Sequence, residues 1–258
     1  MTIVLPGQIP LAIAPLLDSL VTEIQNALAD NITGVYVSGS IATGEYDPKT
    51  SDIDLAVVTW HTLSDVELAA LSALRDRLPP RSIEHPDYEV DLIDCATIRR
   101  FRPGQRHVKI AWDEKVDWID YRPSSVFERS TIREHGVTLL GPDPKTLIDP
   151  ITSEDLAEAA RGELRARWRN WSGGRWPRSE IQTYIGAQGY EVETVCRALY
   201  TDRHGEMISK RDAIAWGLTH LPERWHPLLE WSRTVRKKWE AGDSRADEVL
   251  GFLEWAVT

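Results

Sequence analysis

Residues 39–55 read Gly39-Ser40-Ile41-Ala42-Thr43-Gly44-Glu45-Tyr46-Asp47-Pro48-Lys49-Thr50-Ser51-Asp52-Ile53-Asp54-Leu55. A β-branched and aromatic run, Gly34–Ser38, leads into Gly39-Ser40, and residues 52–59 (DIDLAVVT) read as the next strand. Along a strand, residues i and i+2 face the same way, so Asp52 and Asp54 project side by side while Ile53, Leu55 and Val57 anchor the other face. Two carboxylates held that close repel unless a cation lies between them. Magnesium is the natural ion, because it seeks oxygen and bridges carboxylates to nucleotide phosphates. Gly39 lets the backbone approach a phosphate, and the helix start with the Ser40 hydroxyl can hold its oxygens. A lone Asp-x-Asp is a weak signal. The strand–Gly-Ser–helix–turn–strand order, with Ser51 directly before Asp52, makes it strong.

Working outward, apolar positions over residues 11–29 recur at helical spacing. Residues 63–77 read as a helix opened by the capping box Ser64-x-x-Glu67, and Tyr88–Asp94 as a third strand. Strands interleaved with helices point to an α/β unit with a mixed sheet. After about residue 140 the pattern changes. Gly141-Pro-Asp-Pro144 and Asp149-Pro150 turn the chain, and helix starts then dominate. Thr152-x-x-Asp155, Ser179-x-x-Gln182, Ser209-x-x-Asp212 and Ser244-x-x-Asp247 all fit capping boxes or close variants, which predicts a bundle of about five helices. The fold class expected is therefore α+β, with a mixed sheet flanked by helices over 1–148 and an all-α bundle over 149–258.

Bulk properties limit the function. The 258 residues carry 40 acidic against 30 basic side chains, net −10, which disfavours a nucleic-acid substrate and tolerates a cationic or neutral small molecule. Cys95 and Cys196 stand far apart in no metal spacing, so a reducing cytoplasm is expected. No run approaches ~20 apolar residues and the first residues do not read as a signal peptide, so no membrane association is expected. A monomer is the expected state. Most of the 11 tryptophans read as packing residues. Trp171 and Trp176, beside Gly173-Gly174, read as loop residues able to wall a ligand, and Trp112 and Tyr190 join them as candidate acceptor contacts. Arg233–Lys238 (RTVRKK) reads as a solvated helix face.

Here the motif resembles the nucleotidyltransferase superfamily, which includes polymerase-beta-like enzymes and the antibiotic adenylyltransferases. That family draws a third carboxylate from a neighbouring strand. Glu89 and Asp91 share one face of Tyr88–Asp94, whereas Asp94 points away. Glu89 is the expected general base and Asp91 an expected further metal ligand, with the two roles open to exchange. The implied chemistry is in-line attack of a hydroxyl on the α-phosphorus of ATP, with two Mg2+ ions at Asp52 and Asp54 and expulsion of pyrophosphate.

The whole chain is similar to the streptomycin/spectinomycin adenylyltransferases. The matching stretches are Gly39-Ser40 with Ser51-Asp52-Ile-Asp54-Leu, Tyr88-Glu89-Val, and Glu134-His-Gly-Val-Thr-Leu-Leu-Gly-Pro142 into Leu147–Pro150. Cys196-Arg197-Ala-Leu-Tyr200, Ser209-Lys210-Arg-Asp-Ala213 and Trp216 continue the match. The resemblance implies that Ser40 and Ser51 contact the nucleotide and that Arg197 and Lys210 extend cations onto its triphosphate. Departures fall at the acceptor positions. Ala187 and Tyr190 stand where that family carries an acidic residue and a histidine, and Val235-Arg236 stands near its cleft tyrosine. A hydroxylated aminoglycoside or aminocyclitol is the expected acceptor. Another metabolite, a tRNA or protein target, and a non-catalytic nucleotide sensor are the alternatives.

Overall fold

The computed structural model describes residues 7, 9–48, 50–77, 87–100, 102–111, 115–120, 122–172, 184–236, 242 and 244–258. Packing divides the chain into two compact units, Met1–Pro150 and Ile151–Thr258.

In the first unit, α1 (Ala14–Leu28) buries Leu17, Leu20, Val21, Ile24 and Leu28, one stripe at helical spacing. The chain then forms β1 (Ile32–Val37), the single turn α2 (Gly39–Ala42), β2 (Ile53–Thr59) and α3 (Asp65–Arg77). It continues through β3 (Tyr88–Asp94), α4 (Cys95–Arg99), β4 (Arg106–Ala111), β5 (Asp117–Asp120), α5 (Ser125–His135), β6 (Val137–Leu140) and α6 (Pro144–Leu147). The six strands lie in the order β5-β4-β3-β2-β1-β6. Strands β2 and β3 are parallel, and every other pairing is antiparallel. The mixed sheet follows from this. A parallel neighbour needs a crossover, and α3 lies in the β2–β3 connection.

Alternation decides what each face does. Val35, Val37, Ile53, Leu55, Val57, Val90, Leu92, Val108 and Ile110 point into one core with Leu17, Leu20 and Ile24 of α1 and Leu71 and Leu74 of α3. The residues between them, Asp54, Glu89, Asp91, His107 and Lys109, share the opposite face by period two. Ser64 and Glu67 form the expected capping box of α3, each backbone N–H meeting the other's side chain. Asp94, which points away from the acidic face, caps α4 through Ala96 N and Thr97 N. Buried Arg129 of α5 donates to the carbonyls of Ile98 (2.7 Å) and Arg99 (2.5 Å), satisfying the end of α4.

The turn after β6 is fixed at Gly141, whose φ of +93° is open to glycine. A Cβ there would lie 2.3 Å from the Thr33 carbonyl oxygen. Nearby, the Tyr36 hydroxyl donates to the Pro142 carbonyl at 2.8 Å. Gly141→Ala is expected to destabilise the first unit by about 1–3 kcal/mol, seen as a lower denaturant midpoint at unchanged m-value.

The second unit contains α7 (Ser153–Ser172), α8 (Ile185–His204), α9 (Lys210–His220), α10 (His226–Val235) and α11 (Ala246–Val257), with a short 3-10 turn at Glu223–Trp225. Helix α8 is the central element and packs against each of the other four. That position explains why Val192, Val195 and Cys196 have no solvent exposure. Thr152 with Asp155 and Ser209 with Asp212 form the expected caps. The expected Ser244–Asp247 box is not formed. Ser244 Oγ accepts from Ala246 N at 3.3 Å, a local cap one residue short of the box, and also from Gln188 Nε2 of α8 at 3.0 Å. Ser179–Gln182 lies outside the described residues. Among the described residues no helix is long and apolar enough to cross a membrane. The expected fold class, a mixed sheet with flanking helices followed by a helical bundle, is borne out.

Candidate active site

Gly39 opens the turn between β1 and β2 with φ +59°. A Cβ on it would lie 1.8 Å from Asp54 Oδ2, so glycine is what allows the turn to sit against that carboxylate. Ser38 N donates to the Asp54 carbonyl at 2.9 Å and holds the two segments together. The Ser40 hydroxyl is buried and has no hydrogen-bond partner among the described residues, a donor left for a ligand oxygen. Ser51 is buried, and its hydroxyl accepts from Asp47 N at 2.9 Å, closing the loop that delivers Asp52 to the sheet edge. Its expected nucleotide contact would have to share that hydroxyl.

Asp54 and Glu89 are register partners on the parallel strands β2 and β3. Both therefore project from one face, about 5 Å apart along the sheet. Asp91 is two residues farther on, beside Ala56. Its carboxylate accepts from His107 Nε2 at 3.1 Å, while Lys109 Nζ donates to Glu89 Oε2 at 2.6 Å. Burial opposes the Lys109 charge, but the Glu89 and Asp91 carboxylates and the Glu89 hydrogen bond outweigh it and raise its pKa.

Sequence reading missed Lys109 and Glu128 as site residues. The alternation His107-Val-Lys109-Ile, polar against apolar, was the available signal for Lys109. Glu128 of α5 is an exposed residue whose carboxyl lies among the charged groups of the site. Loss of surrounding water, then the Asp91, Glu89 and Asp54 carboxylates, push its pKa above the ordinary carboxylate range against the pull of Lys109.

The donor set suits a hard cation. Asp52 and Asp54 offer carboxylate oxygens, and Mg2+ characteristically completes its shell with phosphate oxygens and water. Among the described residues no group of three or more His, Cys, Asp or Glu side chains forms a metal site. Asp91, the further expected ligand, lies one pleat along β3 from Glu89, beside Ala56, with His107 on its carboxylate.

In the second unit, Arg167 donates to Glu163 at 2.6 Å and Glu191 at 2.5 Å, both carboxylates being buried. Glu193 is buried too and lies 3.7 Å from Arg236. Arg236, expected on a solvated face, is therefore paired with a buried acid. Lys237 and Lys238 lie outside the described residues. Lys210 Nζ sits 4.0 Å from the Tyr190 ring centroid. Desolvation, with repulsion from Arg197 and Arg236, lowers the Lys210 pKa, while the Lys210, Arg167 and Arg197 cations lower that of the Tyr190 phenol. Trp171 is in the last turn of α7 rather than in a loop, because helical hydrogen bonding runs on to Ser172. Trp112 and Trp176 lie outside the described residues.

A crowded cation costs stability while it is charged. With the folded pKa lowered, the penalty is present below that pKa and fades as pH rises to the unfolded value near 10.5. Lys210→Met is expected to raise the melting temperature at about pH 7, by less near the ordinary lysine pKa, while weakening nucleotide binding. Thermal melts at both pH values and a nucleotide titration check it.

Comparison with known proteins agrees with this geometry. Residues 18–124 match the nucleotidyltransferase domain family, and residues 146–254 match the aminoglycoside adenylyltransferase C-terminal domain family. An aminoglycoside (3'') (9) adenylyltransferase of Klebsiella pneumoniae is 26% identical over 257 residues, covering 93% of this chain and 91% of that protein. A spectinomycin 9-adenylyltransferase of Campylobacter jejuni is 23% identical over 252 residues, covering 92% of each. A spectinomycin adenyltransferase from Enterococcus faecialis, solved with ATP and spectinomycin, has the same fold, with TM-score 0.72 at 15% identity over 94% of this chain and 98% of that one. With both halves matched in order, the chain belongs to the aminoglycoside adenylyltransferase family of the nucleotidyltransferase superfamily.

Proposed function

We propose that this enzyme transfers AMP from ATP to a hydroxyl of an aminoglycoside or aminocyclitol such as streptomycin or spectinomycin, releasing pyrophosphate. The observation that carries the reading is the pairing of Asp54 with Glu89 across β2 and β3, against the Gly39 turn. Asp52 and Asp54 hold Mg2+, two ions in this reading, which when bound neutralises the triphosphate and stabilises the entering and leaving oxygens. The Gly39 backbone and the Ser40 hydroxyl, lacking a protein partner among the described residues, receive phosphate oxygens. Arg197 and Lys210 supply further positive charge to the phosphates, which explains a lysine in the first turn of α9, where the helix dipole disfavours it.

Glu89 takes the proton of the acceptor hydroxyl as its oxygen attacks the α-phosphorus. One O–P bond forms, the bond from the α-phosphorus to the bridging oxygen breaks, and pyrophosphate departs. Both acids hold a donor from β4, but the Asp91 side chain is 22% exposed against 44% for Glu89, which makes Asp91 the less accessible of the two candidate bases. Tyr190, stacked on Lys210, belongs with the cations in this reading rather than with an acceptor wall.

Pyrophosphate release from Mg-ATP in the presence of streptomycin or spectinomycin tests the proposal. Release is expected with at least one of them and is expected to vanish in Asp52→Ala. Nucleotide binding without release on either antibiotic would refute the acceptor assignment.

A further inference from the structure

Strands β3 and β4 pair with Asp91 opposite Lys109 and Glu89 opposite Ala111. A lysine directly across from an aspartate would ordinarily bond to it. Lys109 instead reaches diagonally, two residues along β3, and donates to Glu89 at 2.6 Å. The same stagger occurs one step earlier. Val108 opposes Leu92, so His107 falls opposite Ile93, yet its Nε2–H donates to Asp91 at 3.1 Å. Two donors on β4 thus serve two carboxylates on β3 with the same offset. His107 is 4% exposed and the Asp91 side chain 22%, so the first rung is anchored on a buried ring. With one oxygen of Asp91 bound there, Lys109 is directed to Glu89 rather than shared between the two acids.

Resting on the reading of Glu89 as the base, we infer that Lys109 is its positioning residue, aimed by the His107–Asp91 pair. Lys109 fastens Oε2 and leaves Oε1 to accept the hydroxyl proton. A glutamate that is 44% exposed would otherwise sample several rotamers, with only a fraction facing the attacking oxygen. Its own long side chain is held by a neighbour that is 22% exposed, which makes the contact stiffer than a surface ion pair. Lys109 touches neither substrate in this account and acts through Glu89 alone.

The test compares Lys109→Met, Lys109→Arg, Glu89→Gln and the Glu89→Gln/Lys109→Met double variant, using full-length protein with Mg-ATP and spectinomycin or streptomycin. Lys109→Met is expected to lower kcat by about 10²-fold with the Mg-ATP dissociation constant changed less than about twofold. Lys109→Arg recovers part of the loss. In the Glu89→Gln background the methionine adds nothing, because there is no base left to aim. A second readout is independent of turnover. In protein labelled with 15N-lysine, the ammonium resonance that disappears in Lys109→Met is expected to shift in Glu89→Gln.

Unchanged kcat in Lys109→Met, an equal loss in both backgrounds, or an ammonium resonance indifferent to Glu89→Gln would each overturn the inference. Full activity in Glu89→Gln would instead overturn the assignment of the base. In that case the resonance shift still reports whether the pair exists.

Discussion

Glu89→Gln is expected to lower kcat by about 10²–10⁴-fold, the usual contribution of a positioned general base, while Mg-ATP binding stays close to wild type. The amide keeps the size of the carboxylate and an oxygen that Lys109 Nζ can still reach, so β3 and its neighbours keep their packing. What is lost is the capacity to take up a proton, an event that matters in the transition state alone. The expected signature is therefore a fall in kcat and in kcat/KM by the same factor. A rise in KM at constant kcat would assign Glu89 to uniform binding of the acceptor. The prediction also separates the two acids on β3. If Asp91 were the base, Glu89→Gln would cost little, and the strand register would be the wrong guide to chemistry.

Gly39→Ala is expected to reduce nucleotide turnover by about 10²-fold or more without unfolding the protein, because a displacement of about 1 Å in a reacting site carries that penalty. Two effects combine at this residue. Its φ of +59° costs an L-amino acid about 1–2 kcal/mol. The new Cβ would also stand 1.8 Å from Asp54 Oδ2, so the carboxylate or the turn must move. Either movement separates Asp54, the proposed metal ligand, from the turn proposed to cradle the phosphates. The loss should appear in Mg-ATP binding as well as in kcat, which distinguishes this variant from Glu89→Gln. Circular dichroism near wild type with weakened nucleotide binding is the expected pair of measurements.

The segment that decides the fold was legible because its chemistry is local. Asp54 lies in β2 with Asp52 just before the first residue of that strand, and Glu89 lies on a strand with clean alternation, so period two alone gives Asp54 and Glu89 their common face. The capping boxes at Ser64, Thr152 and Ser209 were legible for the same reason, each being closed within four residues. Strand β4 was not recognised. Arg106, His107 and Lys109 make it read as a basic stretch, and its pairing with β3 rests on contacts far apart in sequence. That omission hid Lys109 from the site. Glu128 escaped notice because its relevance comes from α5 lying near the acidic face, which no spacing along the chain encodes. In the second unit, Arg233–Lys238 reads as a solvated face, yet Arg236 lies 3.7 Å from buried Glu193. The burial of Glu191 and Glu193 follows from α8 being surrounded by four helices, a tertiary fact. Ser244 shows one hydroxyl put to two uses, accepting from Ala246 N at the start of α11 and from Gln188 on another helix.

In the proposed function, the acidic face built from Asp52, Asp54 and Glu89 moves an adenylyl group onto an antibiotic hydroxyl. Mass spectrometry of streptomycin and spectinomycin after incubation with the enzyme and Mg-ATP tests it most directly. One of the two is predicted to gain a single AMP, with one pyrophosphate released per adduct and neither product formed by Asp52→Ala. Both antibiotics recovered unmodified from an enzyme that binds Mg-ATP, or an adduct formed equally by Asp52→Ala, would contradict the account.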